Sequence, residues 1–480
     1  MCDSWNQREV VLTTVRKNGC ALDLAAPEFK ADRDVVLAAV QQDGWALKYA
    51  APALKADRAI VLAAVQQNGW ALDLAAPEFK ADRGVVLAAV QHDGGALCHA
   101  HALKADREIV LAAVRQNGHA LFVVAKALQA DAKIVAAAVQ QNGEALGYAS
   151  DTLKADRAIV AAAVQQNGHA FRFASEALKA DREFVLAAVQ QHGRTLCYAS
   201  DTLKADRAIV LAAVQSAAGA LFVAPEALKA DRAIVLAAVQ QDGCALDLAA
   251  PELKADRAIV LAAVRQNGHA LQYAADVLKA DREVVLAAVQ KYGRSLCYVV
   301  PELKADRAIV LAAVHQKGYA LQFAAKALRA DRDIVLSALH ENGLALQFAA
   351  TALRADHDIV LAAVRQNGFV LQYAAAVLKA DATIVTAAVR ENSKALRFAA
   401  PELKADEWLQ LLACNARARL PPRARAFLKL ARDQVDAAVQ SKVDLFLIKR
   451  GLEDWISAKR KRKEEEARVS EPHSKRQKLG

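Results

Sequence analysis

The pattern of apolar and polar residues along this chain repeats at a fixed interval. A Lys-Ala-Asp tripeptide, or a close variant of it, recurs sixteen times, and its aspartate runs from Asp32 to Asp406. Each step is 25 residues, except for one step of 24 between Asp82 and Asp106. One unit reads ADRDVVLAAVQQDGWALKYAAPALK, and its Val36 and Val40 have the i, i+4 spacing of a helix face. A leucine-rich repeat can have the same period, but the alternating strand pattern that it needs is missing.

Each unit predicts two short antiparallel helices. Asp32 is suited to cap the first helix, since its carboxylate can accept hydrogen bonds from free backbone amides. A glycine follows that helix in 14 of 16 units. We expect it to adopt the left-handed conformation, so that Ala218 and Ser393, which replace it, would be strained. Neither helix can bury its apolar residues alone, so the units should stack. The predicted fold is all-α, an α-solenoid of about 16 two-helix repeats over residues 1–406.

Three stretches of the repeat, VVLAAVQQDGWALKYA, IVLAAVQQNGWALDLA and IVLAAVRQNGHALQYA, resemble a known family. It is a tandem helical repeat family known only as a domain of unknown function, present in many copies in some protist and bacterial proteins. The resemblance covers residues 1–406. It implies a helical repeat fold and no established activity, substrate or catalytic residue.

The end of the chain departs from the repeat. Residues 407–458 predict a helical cap, and residues 459–480 a disordered basic tail. From Glu407 onward there are 18 Lys/Arg and 10 Asp/Glu, a net charge of +8, which leaves +2 for residues 1–406. The basic tail resembles a nuclear localisation signal, so a nuclear location is expected, with the cytoplasm as the alternative. The residues of this signal are Lys459, Arg460, Lys461, Arg462, Lys463, Lys475, Arg476 and Lys478.

The chain carries no sign of secretion or of a membrane segment. We expect no signal peptide at MCDSWNQREV, and apolar runs such as IVLAAV are too short to span a bilayer. The seven cysteines are scattered without a CxxC pair, which predicts reduced thiols in an intracellular compartment.

The residue after the loop glycine varies most between units. A residue three positions later also varies, and the two should share a helix face. The resulting stripe is a candidate surface for partners, and an unconstrained solvent face is the alternative. The candidate partner-binding residues are Trp45, Trp70, His119, His169, His269, Tyr319 and Phe369.

The other chemical features favour structural roles. The repeated Lys-Ala-Asp-Arg sequence could form a basic rail for phosphates, but near-neutral charge favours aspartate caps neutralised by Lys and Arg. Four residues of zinc-ligand type cluster in the shortened unit without a familiar ligand spacing, so no metal is predicted. They are His92, Cys98, His99 and His101.

The sequence predicts no enzyme and no cofactor, because it has no P-loop, GxSxG, HExxH or dinucleotide fingerprint. The predicted function is a non-catalytic scaffold that binds protein or peptide partners. A repeat-based nucleic-acid binder and a purely structural array are the alternatives. The sequence leaves the oligomeric state undetermined.

Overall fold

The computed structural model of the protein describes residues 8–415, and these fold into helices and connecting turns without a strand. The chain divides into two compact units at Leu278 and Lys279. Each unit is a stack of helical repeats, which confirms the predicted all-α repeat solenoid. Of the predicted cap at 407–458, only a first helix is described. The basic residues from 459 to 480 lie outside the described part.

A ten-residue α-helix, here the long helix, begins each repeat. Four of its apolar residues are fully buried, as at Val35, Val36, Ala39 and Val40, and the two between them are partly exposed. The long helices of the first unit are Arg8–Lys17, Arg33–Gln42, Arg58–Gln67, Arg83–His92, Arg107–Gln116, Ala132–Gln141, Arg157–Gln166, Arg182–Gln191, Arg207–Ser216, Arg232–Gln241 and Arg257–Gln266. Those of the second unit are Arg282–Lys291, Arg307–Gln316, Arg332–Glu341, His357–Gln366 and Ala382–Glu391, followed by the nine-residue Glu407–Asn415.

The second helix of each repeat is a six-residue 3₁₀ helix. It buries its third and fourth residues, as at Ala46 and Leu47. The 3₁₀ helices of the first unit are Gly19–Leu24, Gly44–Tyr49, Gly69–Leu74, Gly94–His99, Gly118–Val123, Gly143–Tyr148, Gly168–Phe173, Gly193–Tyr198, Ala218–Val223, Gly243–Leu248 and Gly268–Tyr273. Those of the second unit are Gly293–Tyr298, Gly318–Phe323, Gly343–Phe348, Gly368–Tyr373 and Ser393–Phe398.

A third short turn joins one repeat to the next. It is α-helical at Pro27–Lys30, Pro52–Lys55, Asp151–Lys154, Glu176–Lys179, Asp201–Lys204, Glu226–Lys229, Pro251–Lys254, Asp276–Lys279, Ala376–Lys379 and Pro401–Lys404. It is a 3₁₀ turn at Pro77–Lys80, His101–Leu103, Leu128–Ala130, Leu303–Ala305, Leu328–Ala330 and Leu353–Ala355. Proline is the first residue of several of these turns, and serine is the N-cap of others.

The aspartate of each repeat caps the long helix and also joins neighbouring repeats. Asp57 accepts hydrogen bonds from the amides of Ala59 (2.8 Å) and Ile60 (3.2 Å). Its other carboxylate oxygen pairs with the guanidinium of Arg33, one repeat earlier, at 2.9 Å. The pair holds the pKa of Asp57 below its usual value, chiefly through the hydrogen bond from Arg33. Capping with neutralisation by Arg is therefore confirmed, and the repeated Arg is engaged with aspartate.

The prediction of left-handed glycines was wrong. No described residue has a positive φ, so Ala218 carries no strain of that kind. Glycine is needed because the 3₁₀ helix begins directly against the next long helix. A β-carbon at Gly118 would lie 2.5 Å from the carbonyl oxygen of Ala138, and backbone cannot yield as a flexible side chain can. The glycine therefore permits close stacking between repeats.

Two further hydrogen bonds link neighbouring repeats. The N–H of Gly118 donates to the side-chain oxygen of Gln141 at 2.6 Å, near the end of the next long helix. At the short turns, the amide of Ala51 donates to the carbonyl of Lys30 at 2.8 Å. Both patterns recur along each unit, so stacking is fixed by polar bonds at several points and not by apolar burial alone.

Candidate functional site: the 3₁₀ ridge

The 3₁₀ helices place the variable residues on the surface. An Asp or Asn precedes most of them, and its side chain fixes the second residue, as where the Trp45 amide donates to Asp43 at 2.9 Å. With three residues per turn, the second and fifth residues of a 3₁₀ helix lie above each other. Their shared face is thus better aligned than in an α-helix. We call the outward second, fifth and sixth residues of these helices the 3₁₀ ridge.

The candidate partner-binding residues all lie on the 3₁₀ ridge but differ in exposure. Trp45 is 43% exposed and Trp70 is 38% exposed. His119 and His169 are also exposed, whereas His269, Tyr319 and Phe369 are half-buried.

Several of these rings pack against the sixth residue of the next 3₁₀ helix. The ring of Tyr319 meets that of Phe348 edge-on, with centroids 5.9 Å apart. The same arrangement joins Trp70 to His99 (5.4 Å), His119 to Tyr148 (6.2 Å), His169 to Tyr198 (6.0 Å) and Phe369 to Phe398 (6.1 Å). The second residues therefore also contribute to packing between repeats. The frequent aromatic residue at the sixth position was the sequence signal for this contact, which sequence reasoning missed.

The most exposed apolar residues of the 3₁₀ ridge were not among the candidates. Phe122 and Phe222, both fifth residues, are 67% and 70% exposed, and Leu24, a sixth residue, is 69% exposed. Their variability was visible in the sequence, but which position would protrude furthest depends on the 3₁₀ geometry.

The charged groups of the 3₁₀ ridge are mixed in sign. In the first unit, its second and fifth positions carry four acidic residues, Asp23, Asp73, Glu144 and Asp247, and three basic residues, Lys48, Arg172 and Arg194. Arg172 lies 3.5 Å from Glu144 and stacks over the Phe173 ring at 4.4 Å. This surface has no excess of positive charge.

Two of the four His and Cys residues of the shortened unit have separate partners. His92 replaces the usual glutamine and accepts the Gly69 N–H at 3.1 Å through Nδ1. His99 Nδ1 lies 3.0 Å from Asp73, and burial lowers the pKa of this imidazole. Within residues 8–415 no three His, Cys, Asp or Glu side chains form a group that could hold a metal ion. None of the helices in that range has the length and apolar character needed to cross a membrane.

A family comparison agrees with the period of this architecture. The family described as Domain of unknown function (DUF4116) matches residues 7–55, 32–80, 82–129, 131–179, 181–229, 231–279, 281–329 and 331–379. The chain belongs to this family. Each DUF4116 match spans two of the structural repeats, so the family unit is a pair of stacked long helices with their 3₁₀ helices. No curated protein and no solved structure matches the chain.

Proposed function

We propose that this DUF4116 protein is a non-catalytic scaffold that binds extended protein or peptide segments along the 3₁₀ ridge of its first unit. One observation carries the proposal. Among the described residues, nine large apolar side chains are exposed, and five of them lie on that ridge. They are Leu24, Trp45, Trp70, Phe122 and Phe222. Aromatic side chains in such positions supply much of the binding energy at protein interfaces.

Electrostatics favours a peptide over a nucleic acid on this surface. Asp73 lies three residues after Trp70 in the same 3₁₀ helix, and the Trp70 indole N–H donates to Asp93 at 2.7 Å. Carboxylates repel phosphate, whereas they are compatible with a peptide that carries apolar or basic side chains. The repeated arginines offer no free basic rail, because they pair with aspartate between repeats, as Arg207 does with Asp231 at 2.6 Å.

The experiment is a peptide-display selection on the full chain, followed by affinity measurement on a ridge variant. Serine replaces Trp45, Trp70, Phe122 and Phe222 in that variant. The selected peptides should be rich in aromatic and aliphatic residues. The variant should bind them at least about 30-fold more weakly, since a hot spot is worth roughly 2 kcal/mol.

The matched control replaces two exposed valines that lie off the ridge, Val277 (69% exposed) and Val377 (79%). Their substitution with serine should leave peptide affinity unchanged. Peptide affinity should also vary little with salt, whereas a nucleic-acid complex weakens steeply. Equal binding by the ridge variant would contradict the proposal, and absence of any selected peptide would favour a purely structural array.

The four aromatic residues at the second position divide into two pairs. Trp45→Ser and Trp70→Ser should lower the melting temperature less than the second pair, because both side chains are more exposed, at 43% and 38%. Tyr319→Ser and Phe369→Ser should lower it, because these rings are half-buried against Phe348 and Phe398. Thermal melts followed by circular dichroism compare the pairs. Equal loss from both pairs would contradict the exposed role of the tryptophans.

We also propose that the basic run Lys459–Lys463 directs nuclear import. Alanine at all five positions should move a tagged protein from the nucleus to the cytoplasm, while the melting temperature stays constant. Fluorescence microscopy and circular dichroism measure the two outcomes. Unchanged nuclear accumulation would defeat the import proposal and leave the scaffold proposal standing.

A further inference from the structure

One interface between repeats in the first unit contains two enlarged core residues. Phe171 stands where every other repeat has leucine, and Phe184 stands where the others have isoleucine or valine. Phe171 is fully buried and Phe184 is 6% exposed. Their rings stack with centroids 5.8 Å apart and an interplanar angle of 25°. Two aromatic rings therefore occupy the space that aliphatic side chains fill elsewhere. We call this the wedged interface.

The wedged interface remains closed at the start of its long helices. Arg157 pairs with Asp181 at 2.5 Å, and the amide of Ser175 donates to the Lys154 carbonyl at 2.9 Å. Both bonds are the standard connections between repeats. The two rings therefore enlarge the core of an interface whose repeats remain hydrogen-bonded at the start of the long helices.

The opposite end of the wedged interface is open. At most other loop glycines, a β-carbon would first meet the alanine carbonyl of the next long helix, but at Gly168 it would meet the His192 side chain. Val164 and Ala188 keep 3% and 5% exposure, whereas the equivalent Val139 and Ala138 of the long helix Ala132–Gln141 have none. A cleft of about 360 Å³ lies at this end.

The residues that line the cleft depart from the repeat together. His192 replaces the usual Asp or Asn, Thr195 replaces alanine, and Ser216 replaces glutamine. The Thr195 side chain is 1% exposed, and its hydroxyl has no hydrogen-bond partner within the described chain. A buried hydroxyl without a partner costs free energy, so its retention points to a ligand that supplies the missing bond.

The cleft offers hydrogen-bond donors and no carboxylate. His169 and Tyr198 are joined at 2.7 Å between Nδ1 and the phenol oxygen, and both line it. The exposed guanidinium of Arg194 lies at its mouth, and no Asp or Glu is among the lining residues. Guanidinium, imidazole and hydroxyl groups are the donors that proteins use for oxyanions. The volume lies in the range of small-molecule sites and exceeds that of a bare ion.

We propose that the wedged interface is a binding site for a small organic molecule that carries an oxyanion, either a phosphate or a carboxylate. The oxyanion lies against Thr195 and Arg194, and the organic part occupies the rest of the cleft, beside His169 and Tyr198. This site includes His169, Arg194 and Tyr198 of the 3₁₀ ridge but none of the five exposed apolar residues on which the peptide proposal rests, so each proposal can fail without the other.

The test is titration of the full chain with phenyl phosphate, benzoate and inorganic phosphate. The probe signals are the ¹H–¹³C resonances of His169 and His192 in histidine-labelled protein, assigned by substitution. We expect saturable shifts at these two residues and none at His119, which lies at a closed interface. Comparison of phenyl phosphate with benzoate identifies the preferred oxyanion. Non-saturating shifts, or equal shifts at His119, would overturn the proposal.

Substitutions then separate the hydroxyl, the charge and the wedge. Thr195→Val keeps the shape and removes the hydroxyl, so affinity should fall about tenfold, while Thr195→Ser should bind like the parent chain. Arg194→Ala changes an exposed side chain, cannot disturb the core, and should weaken binding. Lys394→Ala, at the same repeat position in the second unit, is its matched control and should not.

The decisive variant replaces both phenylalanines of the wedged interface. Phe171→Leu with Phe184→Ile restores the residues of the neighbouring repeats, so the interface should close and saturable binding should vanish. Retained binding in this folded double variant would overturn the role of the wedge. If that variant does not fold, unchanged affinity in both Thr195→Val and Arg194→Ala would overturn the proposal instead.

Discussion

The interface between the long helices Arg107–Gln116 and Ala132–Gln141 is closed along its whole length, whereas that between Arg157–Gln166 and Arg182–Gln191 is open at one end. At the first, Gly118 donates to Gln141 at 2.6 Å, and its α-carbon faces the carbonyl of Ala138. At the second, two stacked phenylalanines fill the centre and His192 approaches Gly168. Both use the same backbone repeat.

This difference shows where a repeat protein of this kind can acquire specificity. The bonds at the start of the long helices are kept in both interfaces, with Arg107 pairing to Asp131 at 2.6 Å and Arg157 to Asp181 at 2.5 Å. The side chains that change lie in the core, at Phe171 and Phe184, and at the other end, at His192 and Thr195. A few coordinated substitutions thus alter one interface while its neighbours continue the stack, as expected when coupling reaches only adjacent repeats.

Acid should produce the largest effect, because it acts on many of the capping aspartates at once. The pKa values of Asp57, Asp206 and Asp231 are lowered, chiefly by hydrogen bonds from the arginine of the preceding repeat. A lowered pKa adds stability above the unfolded value of about 3.9 and loses it as pH falls through the folded value. We expect constant stability from pH 7 to about 5 and progressive loss below about pH 4.

Circular dichroism and hydrogen exchange between pH 7 and 2, at constant ionic strength, measure this loss. The wedged interface and the closed interface that follows it, between Arg182–Gln191 and Arg207–Ser216, should lose protection over the same pH range, because the pKa values of Asp181 and Asp206 are both lowered. Earlier opening of the wedged interface would mean that groups other than its Arg–Asp pair control the difference.

Valine at the two loop glycines should separate the interfaces most clearly. Gly118→Val forces side-chain carbons against the backbone of Ala138 and should cost about 3 kcal/mol. Gly168→Val meets the β-carbon of His192 at 2.7 Å and no backbone atom among its nearest contacts; because that β-carbon moves only with its own backbone, the cost should be smaller but still about 2 kcal/mol. Gly219→Val is the control, since nothing lies within 4 Å of its β-carbon position.

Local hydrogen exchange in the flanking long helices measures these costs. Equal destabilisation by Gly118→Val and Gly168→Val would contradict the open end of the wedged interface. A large effect from Gly219→Val would show that backbone conformation, and not the neighbouring repeat, decides the cost.

Much of the fold was predictable because its determinants repeat. The 25-residue period predicted a stack of helical repeats. The capping role of Asp32 followed from its place before an apolar helical run. The loop glycine was identified from the sequence, but the physical reason for glycine at that position was not. A helix-end glycine usually signals positive φ, whereas here it permits contact with a backbone 20 residues later, which no local pattern reveals. The Gly–Gln bond was missed for the same reason.

The candidate sites were less predictable because they depend on departures from the repeat. The variable residue after the glycine was correctly predicted to face outward. Its exposure, however, ranges from 43% at Trp45 to half-buried at Phe369, and it depends on the sixth residue of the next 3₁₀ helix. Phe171 and Thr195 were visible as single exceptions in the sequence. Their combined effect needed the structure, because Phe171 acts on Phe184, 13 residues away, and Thr195 lies in the cleft that results.

Removal of an aspartate cap should affect the two interfaces equally. Asp131→Ala and Asp181→Ala each remove hydrogen bonds to the first turn of a long helix, with Ile134 (3.2 Å) or Phe184 (2.9 Å) as donor. Each should cost about 1 kcal/mol. Thermal melts and local hydrogen exchange compare the two. A much larger loss of stability from Asp181→Ala would mean that Asp181 stabilises the wedged interface by more than helix capping alone.

Removal of the arginine partner should have the smallest effect and still distinguish the interfaces. Arg107→Ala breaks an exposed ion pair with Asp131, which is worth about 0.5 kcal/mol in water. Arg157 pairs with Asp181 and also lies over the Phe184 ring, 5.4 Å from its centroid. Its loss should therefore cost about 0.5 kcal/mol more.

Arg157→Lys keeps the positive charge near Asp181 but loses the planar group over Phe184, so it should recover only part of this difference. Arg107→Lys, at the closed interface, should recover nearly all of its smaller loss, because no ring lies beneath Arg107 among the described residues. Urea denaturation monitored by hydrogen exchange in each long helix resolves changes of this size. If both lysine variants behave alike, the guanidinium adds nothing at the wedge, and the stacked phenylalanines alone hold its geometry.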